Sequence, residues 1–168
     1  MPLKSDRALV VFSLGEKLGA LPLESVEKIA PMADLARPPG LPTPLEGILN
    51  FAGVAVPVLR LDRLLQLPER RPGLYSMLVL LNGARLDDRV ALLVDRVVDI
   101  FYVPNHAMLP VREGDSFNSC VEATVTMRGQ TLHVLSPDRI LLERELESLS
   151  AFRTIEQRRL DDWTTGTR

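Results

Sequence analysis

The stretch GILNFAGVAVPVLRLD (residues 47–62) restricts the folds that this chain can adopt. Residues 47–59 are all uncharged, and they include Gly47, Gly53 and Pro57. A membrane-spanning helix needs about 20 apolar residues, so this run is too short to cross a bilayer. Glycine permits a tight turn, and proline removes a donor from a strand ladder. The stretch therefore predicts a turn at Gly53 followed by a barrel strand that is broken at Pro57.

Short strand-like runs dominate the first 135 residues. The clearest is VEATVTM (121–127), in which apolar and polar residues alternate, and RGQ (128–130) supplies the glycine of a hairpin turn. A second hairpin is predicted around Gly83. Little helical sequence separates the runs, so we expect a mainly β fold of antiparallel barrels or a sandwich. The remaining strand-like runs are residues 8–15, 53–61, 76–83, 89–103 and 130–136.

Two short segments within the strand-rich part carry helical patterns. Residues 23–30 place apolar side chains at three-residue spacing and stop at Pro31, which predicts a short helix near residue 26. Residues 43–50 begin with a Thr-Pro pair that suits a helix N-terminus. We expect a helical turn in each segment.

The C-terminal part changes character and predicts one amphipathic helix over residues 137–163, followed by a tail at 164–168. Ser136 can cap this helix and Pro137 can open it. Its apolar stripe either packs on the strands or docks a partner or a second copy. The stripe consists of Leu142, Leu146, Leu149, Phe152 and Ile155.

Composition argues against several classes of protein. The formal net charge is −2 and only 5% of the residues are aromatic, whereas nucleic-acid binding calls for a basic stripe with stacking aromatics. The single cysteine, Cys120, cannot form an internal disulfide, which fits a reducing compartment. The apolar run near the N-terminus is too short for a spanning helix. We expect a cytoplasmic protein that neither binds nucleic acid nor inserts into a membrane.

The titratable residues do not form a catalytic or metal-binding motif. His106 and His133 are the only histidines, and neither lies at metal-ligand spacing from Cys or acidic residues. No glycine-rich phosphate loop is present. We therefore expect no cofactor, no metal and no enzymatic activity. The one enzymatic alternative is a small β-barrel enzyme that uses Cys120 with His133 as its base.

Several motifs resemble segments of the CheW-like family. GILNFAGVAVPVLRLDRLL (47–65) resembles the family signature, in which a glycine and a hydrophobic pair precede Asn, an apolar residue, Arg, Gly and a proline-bearing strand. ALVVFSLGEKLGALPLESVEKI (8–29) resembles the family's opening strand, hairpin and helix. RVALLVDRVVDIFYV (89–103) and RGQTLHVLSPDRILL (128–142) resemble later segments. The order and spacing of these motifs make the resemblance specific.

The resemblance implies a domain over residues 1–136 made of two small five-stranded SH3-like β-barrels, with a boundary near 66–75 and a shared core. It also implies a coupling protein that bridges the hairpin tip of methyl-accepting chemoreceptors and the regulatory domain of a CheA-type histidine kinase. Other CheW-like domains are further expected partners. The protein would then be recruited to membrane-bound receptor clusters.

The resemblance also implies two groups of partner-binding residues. The receptor groove would involve Val26, Gly47, Asn50 and Ile100. The kinase-facing surface would involve Leu35, Leu41 and Phe51. Plain core packing is the competing explanation for Val26 and Ile100, and a backbone requirement is the competing explanation for Gly47.

Two departures from the family pattern bear on function. Lys28 and Ala52 stand where the family usually carries a Glu–Arg pair, and the charges at Arg60 and Asp62 are reversed. These changes argue against ordinary array assembly and favour a diverged chemosensory pathway, such as one for surface sensing or a second messenger. A specialised adaptor that uses its C-terminal helix to bind a partner or limit array growth is the alternative.

Overall fold

A computed structural model describes residues 6–68, 71–82, 89–111, 120–140 and 143–166. Within these residues the chain forms eleven strands and two α-helices, α1 (Leu61–Leu64) and α2 (Glu143–Gly166). The strands are β1 (Asp6–Leu14), β2 (Lys17–Pro22), β3 (Val26–Pro31), β4 (Leu45–Phe51), β5 (Val54–Arg60), β6 (Met77–Leu81), β7 (Val90–Val94), β8 (Arg96–Pro104), β9 (Leu109–Pro110), β10 (Val121–Met127) and β11 (Gln130–Leu135).

The strands form two sheets, each of which curls into a small barrel. In the first, which we call the terminal barrel, the order is β8-β1-β2-β11-β10-β9. Its two outer strands, β8 and β9, belong to one continuous chain segment joined by a 3-10 turn at Asn105–Ala107. The second, the central barrel, has the order β3-β6-β7-β5-β4. Paired backbone hydrogen bonds between Ala36 and Ile48, 2.9 and 2.8 Å long, join its edges. The expected mainly β fold with two small barrels is confirmed.

The two barrels contain the same hairpin, displaced by 76 residues. β4 and β10 have corresponding bounds, and each carries a register shift at a glutamate, Glu46 or Glu122. Each hairpin then turns on a residue with positive φ followed by a glycine, Ala52-Gly53 or Arg128-Gly129. Positive φ at both central residues is the type I′ turn that matches the twist of a two-residue hairpin. The chain is thus built on an internal repeat.

A shared hydrophobic core joins the barrels. Phe12 and Leu21 of the terminal barrel pack there with Leu59, Val79 and Leu92 of the central barrel, all fully buried. Each barrel also has a core of its own. Burying one such side chain contributes roughly 1.5–3 kcal/mol, so the shared core fixes the two barrels against each other.

Of the two short helices expected within the strand-rich part, the first is reduced to a 3-10 turn just before residue 26, and the second is a strand. Residues 23–25 form a single 3-10 turn, and Val26–Pro31 is strand β3, paired with β6. A register shift between Val26 and Lys28 interrupts the two-residue alternation. Val26 and Ile29 therefore share a face, which imitates helical spacing. Residues 45–51 form β4, because pairing with β5 outweighs the local Thr-Pro signal.

The remaining boundaries also differ from the expectations. Residues 66–75 connect β5 and α1 to β6 inside the central barrel, so the chain passes between barrels at 22–26 and 94–96 instead. The C-terminal segment begins with a 3-10 turn at Pro137–Arg139, and α2 runs from Glu143 to Gly166. The hairpin predicted around Gly83 exists as the antiparallel pair β6–β7, while Gly83 itself lies outside the described residues.

Candidate partner-binding surfaces

The outward face of β8 carries an exposed apolar stripe. Val98, Ile100 and Tyr102 are 45%, 41% and 54% exposed, respectively. They alternate along the strand with Phe101 and Val103, which point into the terminal barrel's own core. Three large apolar side chains in a row on one strand face are unusual on a surface that binds nothing. This stripe is the most prominent candidate for a partner-binding surface.

The pairing of β8 with β1 shows where the stripe lies. Ile100 is directly opposite Val10 in the register. Val10 lies on the same face of β1 as Phe12 and Leu14, both of which pack in the shared core. The stripe therefore borders the junction of the two barrels.

Val26 reaches the same junction from the central barrel. It is partly buried and packs against the shared core from β3. Val26 and Ile100, two of the residues assigned to the receptor groove, thus flank one junction from opposite barrels. Val98 and Tyr102 were missed, although the alternation within VVDIFYV could have identified them.

Gly47 and Asn50 occupy structural positions. Gly47 is buried, and a Cβ there would lie 2.7 Å from the Leu35 Cβ and 2.8 Å from the Ala36 oxygen. Its role is to let the 35–36 segment approach β4. Asn50 is exposed, and its Oδ1 accepts a hydrogen bond of 2.9 Å from the Gly53 N–H. Asn50 therefore supports the turn between β4 and β5.

The residues assigned to the kinase-facing surface are mostly not exposed. Leu35 is buried in the central barrel's core. Leu41 is partly buried and packs against the shared core. Phe51 is partly buried, and the Lys28 ammonium lies 5.2 Å from the centre of its ring.

Lys28, one of the two positions that depart from the family pattern, contacts Phe51, the neighbour of the other, Ala52. Lys28 lies on β3 and Phe51 at the end of β4, the two outer strands of the central barrel. An ammonium over an aromatic face is attracted by the ring quadrupole. This cation–π contact therefore links the two strands without a charge at Ala52.

The reversed charges at Arg60 and Asp62 form a local ion pair. The buried Arg60 donates to Asp62 through Nη2 (2.7 Å) and Nε (3.1 Å), and its Nη1 donates to Glu46 (3.3 Å). The hydrogen bond to Asp62 is the largest cause of a raised pKa at Arg60. Glu46 also pairs with Arg37 (3.3 Å). The cluster secures the base of the β4–β5 hairpin.

The amide side chain of Gln157 joins helix α2 to the central barrel. Gln157 accepts from the Ala55 N–H (3.0 Å) and donates to the Gly53 oxygen (2.9 Å). Ile155 is 48% exposed, so it is not part of this packing face. Leu142 lies outside the described residues, as do the side chains of Leu146, Leu149 and Phe152.

The geometry does not bring Cys120 and His133 together as a catalytic pair. Cys120 is fully buried, and its thiol faces the backbone oxygens of Arg139 and Ile140 (3.4 and 3.6 Å). His133 lies opposite Thr124 on the hairpin, whereas Cys120 pairs with Ser136, three residues further along the chain. Within the described part of the chain, no three His, Cys, Asp or Glu residues are grouped to hold a metal ion. None of the described helices combines the length and apolarity needed to span a membrane.

Comparison with known proteins gives consistent matches. The family model for the CheW-like domain matches residues 8–145. Chemotaxis protein CheW of Thermotoga maritima is 25% identical over 133 residues, covering 79% of this chain and 85% of that protein. Chemotaxis protein CheW of Bacillus subtilis is 24% identical over 148 residues, covering 87% and 94%.

A solved structure has the same fold over most of both chains. The scaffolding protein TtCheW from Thermoanaerobacter tengcongensis aligns with a TM-score of 0.71 and 22% identity, covering 82% of this chain and 86% of that one. This likeness shows that the two chains share a fold.

Proposed function

The chain belongs to the CheW-like family, and from this premise we propose that it is a non-enzymatic adaptor that couples methyl-accepting chemoreceptors to a CheA-type histidine kinase. The relatives named above are chemotaxis proteins. The adaptor acts by position, because its surfaces hold two partners at a fixed spacing. Individual contacts of this kind have micromolar dissociation constants, and repeated units add avidity. We expect the protein in the cytoplasm, recruited to receptor clusters.

The apolar stripe on β8 is the observation that carries the proposal. Val98, Ile100 and Tyr102 border the junction of the barrels, and Val26 lines that junction from the other side. A receptor hairpin tip presents helices, and an apolar helix face docks into such a groove by burying its own apolar residues. Gly47 contributes by allowing the close approach of the 35–36 segment, and Asn50 by fixing the neighbouring turn.

The kinase-facing surface is proposed at the end of the central barrel where β4 turns into β5. Phe51 and Lys28 are the accessible members there, and Leu35 and Leu41 shape the connection beneath them. Lys28 replaces the family's acidic residue, so the partner surface should accept a positive charge. This change supports a kinase of a diverged pathway, such as one for surface sensing.

A titration with two purified fragments tests the coupling role. The protein is titrated with a receptor hairpin-tip fragment and, separately, with the cognate kinase's regulatory domain. We expect micromolar binding to both. Ile100→Asp should weaken receptor-tip binding more than tenfold, since it places a charge in a desolvated contact. Thr131→Asp, on an exposed position of the same barrel, is the control. Equal receptor-tip affinities of the Ile100→Asp and Thr131→Asp variants would contradict the assignment of the β8 stripe to receptor binding.

Helix α2 supports a second candidate, the specialised adaptor whose C-terminal helix binds another partner or limits array growth. Ile155 and Trp163 are 48% and 77% exposed on a helix of 24 residues. Removal of the chain after Glu143 would also remove Gln157 from the central barrel, so truncation is a poor test. Ile155→Asp keeps Gln157. Under this candidate Ile155→Asp abolishes helix-dependent binding, whereas unaltered binding would count against it.

A further inference from the structure

An apolar recess lies between the terminal barrel and the residues that follow α1 in the central barrel, apart from the β8 stripe. It has a volume of about 340 Å³ and opens to solvent. Small-molecule sites typically enclose about 300–1,000 Å³ and are lined by apolar side chains with a few polar groups. The recess meets both criteria. Its main apolar lining is Leu14, Leu18, Leu65, Leu67, Val121 and Leu135.

Two basic side chains, Lys17 and His133, also line the recess. Burial, and then the positive charge of Lys17, lower the pKa of His133. The two groups therefore lie close enough to influence each other. No acidic side chain among the described residues lies within ion-pairing distance of Lys17. Thr124 adds a hydroxyl to the same lining.

A second recess shares Leu14, Lys17 and Leu67 with the first and contains three acids, Glu16, Asp62 and Asp95. Two of these acids are engaged. Asp62 is paired with Arg60 (2.7 Å), and Asp95 accepts the Gly15 N–H (2.6 Å). Lys17 thus lies at the border between the acidic recess and the apolar recess. A ligand in the apolar recess would find the Lys17 ammonium as its cationic partner.

We propose that this recess binds a small amphipathic carboxylate of the medium-chain fatty acid class. The acyl chain would occupy the apolar lining, and the carboxylate would bind Lys17, with the His133 ring and the Thr124 hydroxyl beside it. The proposal stands on the cavity, its lining and the placement of Lys17, and it does not depend on the adaptor function.

Calorimetric titration with three ligands of equal chain length tests the charge preference. Decanoate, 1-decanol and decylammonium are compared at pH 7.5, the two ions below their micelle concentrations and the alcohol below its solubility limit. For a ligand of this size we expect decanoate to bind with a dissociation constant on the order of 0.1 mM. It should bind roughly tenfold more tightly than decanol, as a charge-assisted hydrogen bond implies. Equal binding of all three, preference for decylammonium, or no binding at millimolar decanoate would overturn the proposal.

Matched charge-reversal variants locate the site. Lys17→Glu should weaken decanoate binding at least tenfold and leave decanol binding unchanged. Arg158→Glu makes the same change of net charge on an exposed position of helix α2 and should bind decanoate like the parent protein. Circular dichroism confirms that both variants are folded. Decanoate binding that is unaltered in Lys17→Glu, or equally reduced in Arg158→Glu, would contradict the assignment.

Discussion

The β4–β5 hairpin of the central barrel and the β10–β11 hairpin of the terminal barrel have the same backbone plan but different surroundings. Both carry a bulge at a glutamate and turn on a residue of positive φ followed by glycine. Gly47 in the first corresponds to Ala123 in the second, and the buried Arg60 corresponds to Ser136. The central hairpin is thus held by a close backbone approach and an ion-pair cluster. The shared bulge and turn determine the hairpin's backbone, and the residues that differ determine which segments pack against it.

The outer strands differ in the same way. β3 and β8 each pair with the first strand of a hairpin, β6 and β1 respectively. β3 exposes Glu27 and Lys28, which contact Arg89 (3.1 Å) and Phe51. β8 exposes the apolar stripe. One fold repeated in one chain therefore yields a polar outer strand and an apolar one, and the apolar one suits a partner.

The largest expected effect comes from Gly47→Asp, which tests whether close approach holds the central hairpin. The new side chain would collide with Leu35 and Ala36. We expect a loss of more than about 3 kcal/mol in the free energy of unfolding, from steric overlap and a buried charge. Gly73→Asp, at a glycine with open space around it, is the control. Urea denaturation measures both. A Gly47→Asp protein as stable as the parent would show that residues 35–36 can move away from β4 without loss of stability.

Gln157→Ala tests how much α2 contributes to the central hairpin. The change removes two hydrogen bonds between Gln157 and the backbone, so the Ala55 N–H loses its acceptor on that side chain. We expect a loss of about 1–2 kcal/mol. Arg158→Ala, on an exposed position of the same helix, should change stability little. If the two variants unfold at the same urea concentration, α2 does not support the barrel.

Glycine at the first turn residue tests whether the two hairpins are equivalent. Ala52 and Arg128 have φ values of 52° and 50°, a region that costs a non-glycine residue roughly 1–2 kcal/mol. Glycine's greater freedom in the unfolded chain offsets part of this cost. We expect Ala52→Gly and Arg128→Gly each to stabilise by about 0.5 kcal/mol in thermal unfolding. If one substitution stabilises the protein and the other destabilises it, the two turns are not equivalent.

The smallest expected effect is the coupling of Lys28 to Phe51, which distinguishes β3 from β8. A double-mutant cycle with Lys28→Met and Phe51→Leu isolates the pair from its separate packing contributions. We expect a coupling energy of about 0.5 kcal/mol, typical of an exposed cation–π contact. Zero coupling in urea denaturation would mean that the two edges of the barrel are joined without this contact.

Strand patterns and turn glycines were sufficient to predict the mainly β fold, and the resemblance to the CheW-like family implied the two barrels. The short helices were mispredicted because a bulge near Val26 gives a strand the spacing of a helix, and because pairing with β5 makes residues 45–51 a strand. The repeated sequence V-L-x-x-D-R (58–63 and 134–139) was present as a signal of the internal repeat. Which barrel each strand joins depends on long-range pairing, such as β1 with β8, that no local pattern encodes.

The candidate site was predictable only in part. Val26 and Ile100 were assigned to the receptor groove by resemblance, and that role stays a prediction. Ile100 is 41% exposed, whereas Val26 is partly buried against the shared core. Leu35 and Gly47 could not be recognised as interior positions, because their burial arises from contact with each other across the closed edge of the barrel. Contacts between segments far apart in sequence decide which apolar residues remain accessible.

The order of the strands has a consequence for how the chain is made. The central barrel uses consecutive strands from 26 to 94, so it is complete as soon as that segment leaves the ribosome. The β1–β2 hairpin is made before the central barrel, yet its edges pair with β8 and β11, which follow that barrel. At about 5–20 residues per second, synthesis from Pro22 to Leu135 takes roughly 6–23 s. The edge of β1 stays unpaired until β8 emerges and the edge of β2 until β11 emerges, and chaperones bind nascent chains in such a state.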